Sequence, residues 1–224
     1  TGVQTCALPI SEMLEVNKLI FGYERPIVAG LTFSVPAGEI CLLHGPSGCG
    51  KSTLLSIISG TEDQTVAWSG DISLSGRAIS ALPAHRRKVG LMYQDPLLFP
   101  HLTVGDNLAV GLASSVRGGA RREAISAALS AAGLDGFAHR DPASLSGGQA
   151  ARIALMRALL ASPQALLLDE AFSSLDPSLR QQFGQFVATQ IKDRHIPALL
   201  VSHDATDRQF ATGKVLRLDE YLTE

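Results

Sequence analysis

The stretch Gly45-Pro46-Ser47-Gly48-Cys49-Gly50-Lys51-Ser52-Thr53 constrains this chain more than any other. It fits G-x-x-x-x-G-K-[ST], the spacing of a phosphate-binding loop. That motif needs a strand before it and a helix after it. Glu39 to His44 reads as a buried strand, and Lys51 to Ser59 as a helix stopped by Gly60. Gly45, Gly48 and Gly50 let the backbone wrap so that its N–H groups converge on phosphate oxygens. The helix N-terminus adds a field that favours anions. Lys51 reaches the outer phosphates, and the Ser52 hydroxyl is a ligand for Mg²⁺. A glycine-rich turn before an ordinary helix is the plainer alternative, but it has no need of the lysine and serine where they stand.

Composition removes several function classes. A formal net charge of −2 on 224 residues argues against nucleic acid held by a basic face. Hydrophobic residues reach 46%, yet the longest apolar runs, such as Ala165–Leu168 and Ala198–Val201, are strand-sized and too short for a membrane span. Cys6, Cys41 and Cys49 are odd in number, and two of them fall in the buried strand and the loop. They do not make a disulfide framework and fit a reducing compartment. Residues 1–12 carry no period and resemble translated sequencing-adapter read-through. They are expected to be a non-native or disordered leader, with native sequence beginning near Met13.

Further along, Leu14 to Phe21 and Leu31 to Val35 read as an antiparallel pair beside the loop strand. Phe21 and Tyr23 follow one another there; either ring could stack on a purine, and spacing does not choose between them. Asp71 to Ser75 is a further short strand, and Arg86-Arg87-Lys88 reads as a solvated basic face. Val89 to Tyr93 is a strand ending at Gln94, a polar amide placed to face a ligand crevice. Pro96 to Pro100 is apolar and broken by prolines. From about 95 to 161 the pattern is helical, with helices over Thr103 to Leu112, Ala120 to Ala132 and Ala150 to Ala161. This block is expected to be a helical sub-domain inserted between strands.

Leu145-Ser146-Gly147-Gly148-Gln149 opens the last of those helices; Ser146 suits an N-cap and the glycines leave exposed N–H groups, a second anion-binding end. Ala165 to Glu170 is a strand buried on both faces that ends in two carboxylates. In a chain with a phosphate loop, Asp169 is placed to hold Mg²⁺ through water and Glu170 to act as general base. His203 follows the strand Ala198–Ser202 and is placed to sense the outer phosphate; the other five histidines lack such a setting.

Taken together, the loop, Gln94, Leu145 to Gln149, Leu166 to Glu170, Ser174-Leu175-Asp176 and His203 resemble, in order, the ATP-binding subunits of ATP-binding cassette (ABC) transporters. The resemblance runs from about Leu14 to Leu222, and the LSGGQ run is its specific part. It implies an α/β fold: a P-loop NTPase core with a mostly parallel sheet, an N-terminal antiparallel β piece and the helical sub-domain, all within 13–224. It implies ATP and Mg²⁺ as cofactors. Lys51, Ser52, Gln94, Asp169, Glu170 and His203 of one subunit would hold the nucleotide, with Gln94 also at the metal. Ser146, Gly147, Gly148 and Gln149 of a second ATP-binding subunit, expected to be an identical copy, would close on it. The further partners implied are a transmembrane permease docked on the segment after Gln94, with import as the expected direction, and optionally a solute-binding protein. The chain would then sit peripherally on the cytoplasmic face of the membrane. No regulatory domain is expected after Glu224. Two readings compete: a non-transport cassette of the cell-division type, and a nucleotide-binding module without turnover. The intact Glu170 and His203 argue against the second.

Overall fold

The computed structural model describes residues 13–223; the expected leader lies outside the described residues. Its centre is a five-stranded parallel sheet in the order β6-β7-β8-β3-β9. These strands are β3 (Ile40–His44), β6 (Val89–Met92), β7 (Ala165–Asp169), β8 (Ala198–Ser202) and β9 (Val215–Arg217). The three central strands β3, β7 and β8 are covered on both faces, which explains their near-continuous apolar sequences. Side chains alternate between two cores all the same. Ile40, Leu42, Leu166, Leu168, Ala198 and Leu200 face the helices. Cys41, Leu43, Ala165, Leu167, Leu199 and Val201 face the opposite layer. That layer holds helix α1 (Lys51–Ser59) and an antiparallel sheet in the order β2-β1-β4-β5.

In the antiparallel sheet, β1 (Met13–Gly22) pairs with β2 (Pro26–Pro36) on one side and β4 (Ala67–Leu74) on the other; β5 (Arg77–Ala78) closes the edge. The sheet meets β3 through a shared core, by way of Leu14, Val16, Leu19 and Phe21, and not by backbone pairing. β4 begins four residues ahead of the strand read at Asp71, because Ala67, Trp68 and Ser69 continue the ladder onto β1 beyond a bulge. Gly70 sits at that bulge with φ 120°, and a Cβ there would lie 2.8 Å from the Leu19 Cα. Only glycine fits so close a crossing of two backbones.

Among the described residues, 95–161 contain no strand. They hold α3 (Val104–Val110), α4 (Gly118–Ala131) and α5 (Gly147–Leu160). α4 stops in a Schellman motif: Gly133 is left-handed at φ 69°, its N–H reaches the Ser130 carbonyl, and Leu134 N–H reaches the Leu129 carbonyl. α5 packs on α3, α4 and α6 (Pro177–Arg194), so the helical block is joined to the parallel sheet's helical face through one apolar core. The short helix α2 (Ala84–Arg87) leads into β6.

In the basic run Arg86-Arg87-Lys88, Arg86 and Lys88 are exposed as expected of a solvated face, but Arg87 corrects that reading. Arg87 is 4% exposed. Its Nε donates to the Leu82 carbonyl at 2.7 Å and Nη2 to the Ser80 carbonyl at 3.0 Å, while Nη1 donates to the Ile57 and Ile58 carbonyls in the last turn of α1. A cation at a helix C-terminus complements the dipole and satisfies otherwise unpaired carbonyls.

Candidate functional site

The carboxyl ends of three neighbouring strands set the site. Parallel register aligns His44 with Ser202 and Asp169 with Val201. The phosphate loop, Glu170 and His203 therefore leave the sheet on one edge, where open α/β sheets bind ligands.

Gly48 and Gly50 are left-handed, at φ 80° and 97°, and Gly50 is the N-cap of α1. No side chain caps that end. The first amides of α1 are thus left to an anion, with the helix field behind them. Lys51 is 5% exposed and donates to the Gly45 carbonyl at 2.8 Å and the Pro46 carbonyl at 2.7 Å. Its charge is held inside the curve of the loop. Cys49 turns inward, and a Cβ on Gly45 would stand 2.9 Å from its Sγ. The thiol thus packs the underside of the loop, and Cys49 could meet a ligand only through its backbone.

A cavity of about 270 Å³ is lined by Tyr23, Ile27, Ser47, Gly48, Gly50, Lys51, Ser52, Thr53 and Glu170. It separates the two aromatics that spacing could not. Phe21 is 1% exposed, with its ring against Gly50. Tyr23 is half exposed on the cavity wall, with its hydroxyl 3.4 Å from Thr53 Oγ1. The chain turns between them at Gly22, where β1 ends and a Cβ would strike the Arg25 carbonyl at 2.0 Å.

A second cavity, of about 450 Å³, is lined by Ser52, Tyr93, Gln94, Asp169 and Glu170, among others. Ser52 Oγ donates to Asp169 Oδ1 at 3.2 Å. Burial pushes the Asp169 carboxyl up, and Glu170 adds to the rise; the Ser52 hydrogen bond and Lys51 oppose it. A hydroxyl, a carboxylate and an amide grouped this way form the hard oxygen donor set that Mg²⁺ accepts alongside phosphate oxygens and water. Glu170 lines both cavities. Its backbone is left-handed at φ 49°, a conformation that costs a non-glycine residue about 1 kcal/mol or more. Its N–H donates to the Val201 carbonyl, and its Oε1 lies 3.0 Å from His203 Nδ1. Sequence spacing placed these two residues at the site; their direct contact is additional.

Ser146, Gly147, Gly148 and Gln149 line neither cavity. They open α5 with a complete capping box: Ser146 Oγ accepts from Gln149 N–H, and Gln149 Oε1 accepts from Ser146 N–H. Within one chain this second glycine-rich end is not brought to the first. Leu97 and Phe99 in the segment after Gln94 are exposed, as is Tyr93 just before it. Arg157 of α5 ties it down by donating to the Leu97 and Pro96 carbonyls, and Asn107 brackets Phe99.

A family model described as ABC transporter matches residues 28–173. The protein of Escherichia coli K12 named "Uncharacterized ABC transporter ATP-binding protein YnjD" is 46% identical over 184 residues, which cover 82% of this chain and 85% of that one. The Fe(3+) ions import ATP-binding protein FbpC 3 of Rhodococcus jostii RHA1 is 44% identical over 193 residues, covering 84% of this chain; the match spans only 54% of that protein. Among solved structures, a dimeric post-hydrolysis state of the ATP-binding cassette MJ0796, bound to ADP and Pi, superposes with a TM-score of 0.76 at 26% identity, covering 92% of this chain and 94% of that one.

Proposed function

The chain belongs to the ABC transporter family as one of its ATP-binding proteins, and on that premise we propose that two copies bind and hydrolyse ATP with Mg²⁺ to drive a separate membrane permease. The observation that carries the reading is the placement of Glu170. It borders both the cavity of the phosphate loop and the cavity of Ser52, Gln94 and Asp169. A base standing there meets a water in line with the outermost phosphate.

In this reading Tyr23 stacks on the base, and the amides from Ser47 to Thr53 wrap the phosphates. Lys51 exchanges its loop carbonyls for phosphate oxygens. Ser52, Asp169 and Gln94 would hold Mg²⁺, which would supply positive charge against the phosphates. Glu170 takes the proton of the attacking water. His203, on its other side, fixes the carboxylate and reads the phosphate. The partner copy supplies Ser146 to Gln149 of its α5, closing the nucleotide between two helix ends and excluding water. That MJ0796, of the same fold, is dimeric with ADP and Pi bound supports the two-copy assembly.

Among the described residues, no helix is long and apolar enough to cross a membrane. A transport role therefore draws on a membrane partner. Tyr93, Leu97 and Phe99, apolar and exposed at 39–57%, offer a docking patch beside Gln94. The names of the import relatives favour uptake as the direction, and docking on a permease would hold the chain peripherally at the cytoplasmic face of the membrane. Glu170→Gln is the test. Phosphate release should fall by about 100-fold or more, and gel filtration with ATP and Mg²⁺ should show a stable dimer. Turnover at the parent rate would remove Glu170 as the base.

A further inference from the structure

We infer that Arg180 is a positioning residue for hydrolysis, its guanidinium pinning together the two loops that carry Glu170 and His203. The inference rests on the reading of those two residues given above.

Arg180 lies in the first turn of α6, whose cap is Asp176, and touches neither site cavity. Its Nε donates to the Phe172 carbonyl at 3.1 Å and its Nη2 to the Ser173 carbonyl at 3.4 Å. These carbonyls belong to the turn just after Glu170. That turn folds back on Glu170 itself, because the Ser173 N–H and Oγ both donate to the Glu170 carbonyl, at 3.0 and 2.8 Å. On its other side Nη1 bonds Asp204 Oδ2 and reaches Thr206 Oγ1 at 3.4 Å. Asp204 is the residue after His203. Hydrogen bonds from Thr206, then from Arg180, hold its carboxyl down at about 2, so it stays an anion facing the guanidinium. With the Glu170–His203 contact at 3.0 Å the ring is closed: Arg180, Phe172–Ser173, Glu170, His203, Asp204 and back to Arg180.

Two features show why a clamp is needed. Glu170 is left-handed, a conformation that persists only where the surroundings impose it. The β8 end is also under-supported: Asp207 is buried, takes the Ser202 hydroxyl on Oδ2 at 2.7 Å, and has no partner on Oδ1 beyond Arg180 Nη1 at 3.8 Å. Arg180 is thus the cation for both acidic residues of this loop. Its planar fork sets donors on three separate nitrogens, Nε and Nη2 toward one loop and Nη1 toward the other, a span that a lysine's single nitrogen does not reproduce.

Arg180→Ala, Arg180→Lys and Asp204→Asn are compared with the parent and with Glu170→Gln. The measurements are phosphate release against ATP·Mg²⁺ concentration, ATP affinity by calorimetry, and the His203 ring signals in histidine-labelled protein. Arg180→Ala should lower kcat by about 10- to 100-fold through misplacement of the base, and move the His203 signals. ATP affinity should stay within about twofold, the pattern of a lost transition-state interaction. Arg180→Lys should recover only part of kcat, and Asp204→Asn, which frees one loop, should fall between. Unchanged kcat and His203 signals in Arg180→Ala would overturn the inference. So would ATP affinity falling in step with kcat, the mark of general damage. If Arg180→Ala does not fold, the other two variants carry the same readouts. Parent-like turnover in Glu170→Gln would instead strike the base assignment, while the His203 signals still report on the clamp.

Discussion

The glycine-rich helix starts at the phosphate loop and at Ser146-Gly147-Gly148-Gln149 are finished in opposite ways. α1 starts at Gly50, left-handed and without any side chain over its first amides. α5 starts at Ser146 and is sealed by its own capping box. A helix end left uncapped beside a buried lysine is one that a ligand completes. A helix end that caps itself is stable in the free chain; what it can still offer is the pair of glycine amides between Ser146 and Gln149 and the absence of side chains over them. The contrast fits a division of labour in which the first end binds in its own subunit and the second acts on a nucleotide already held elsewhere.

Removing the charge at the open end should produce the largest change. Lys51→Ala is expected to lower turnover by about 100- to 1,000-fold, the scale of losing one preorganised donor to a developing anion. Calorimetry should show ATP affinity falling with it. Parent-like affinity would mean that the α1 amides suffice alone and that the comparison overstates the lysine. The geometry of the same end is tested next by Gly50→Ala. The new Cβ would meet the Phe21 ring at 3.0 Å at a φ of 97°, and the left-handed backbone adds about 1–2 kcal/mol. If the loop relaxes to relieve this, nucleotide affinity should fall about tenfold, the equivalent of 1.4 kcal/mol.

The closed end should behave differently. Ser146→Ala removes the acceptor for Gln149 N–H and should cost about 1 kcal/mol in urea unfolding. ATP affinity of the isolated chain should not change. Turnover should drop about tenfold, as for one weakened hydrogen bond to a charged group, and only where dimers form. A loss of ATP affinity in dilute, monomeric protein would collapse the distinction between the two ends.

Much of this contrast was legible in the sequence, because both ends are short-range features. Gly-x-Gly-Lys-Ser and Ser-Gly-Gly-Gln each state a cap and a helix start within five residues. Strands β7 and β8 were equally plain, since burial on both faces demands continuous apolar runs. The antiparallel piece and helical block followed from where such runs stop. What could not be read depends on what lies across the gap. Arg87 looks like its basic neighbours until α1's last carbonyls are placed beside it. Nothing local marks Glu170 as left-handed; the pull comes from Val201 and Ser173. Phe21 and Tyr23 divide into core ring and cavity wall only because β1 ends between them at Gly22. Arg180 sits in a helix that by pattern is merely amphipathic, and its partners are eight and 24 residues away.

The finest cut comes from an ordinary cap with no ligand duty. Thr103 starts α3; its Oγ1 accepts from Asp106 N–H at 3.1 Å and donates to Asp106 Oδ2 at 2.7 Å. In local chemistry it is close kin to Ser146, but Val104 stands where α5 has its first glycine, and the Gly105 that follows is buried against Ala138. Thr103→Ala should therefore cost about 0.5–1 kcal/mol in the same unfolding experiment and leave turnover of the isolated protein unchanged. With the stability losses matched, any difference in turnover between Thr103→Ala and Ser146→Ala comes from what the α5 end presents to its neighbour, since capping alone is lost in both. Equal drops in turnover would mean that Ser146 acts only by keeping its helix wound, and the second end would lose its claim to touch the nucleotide.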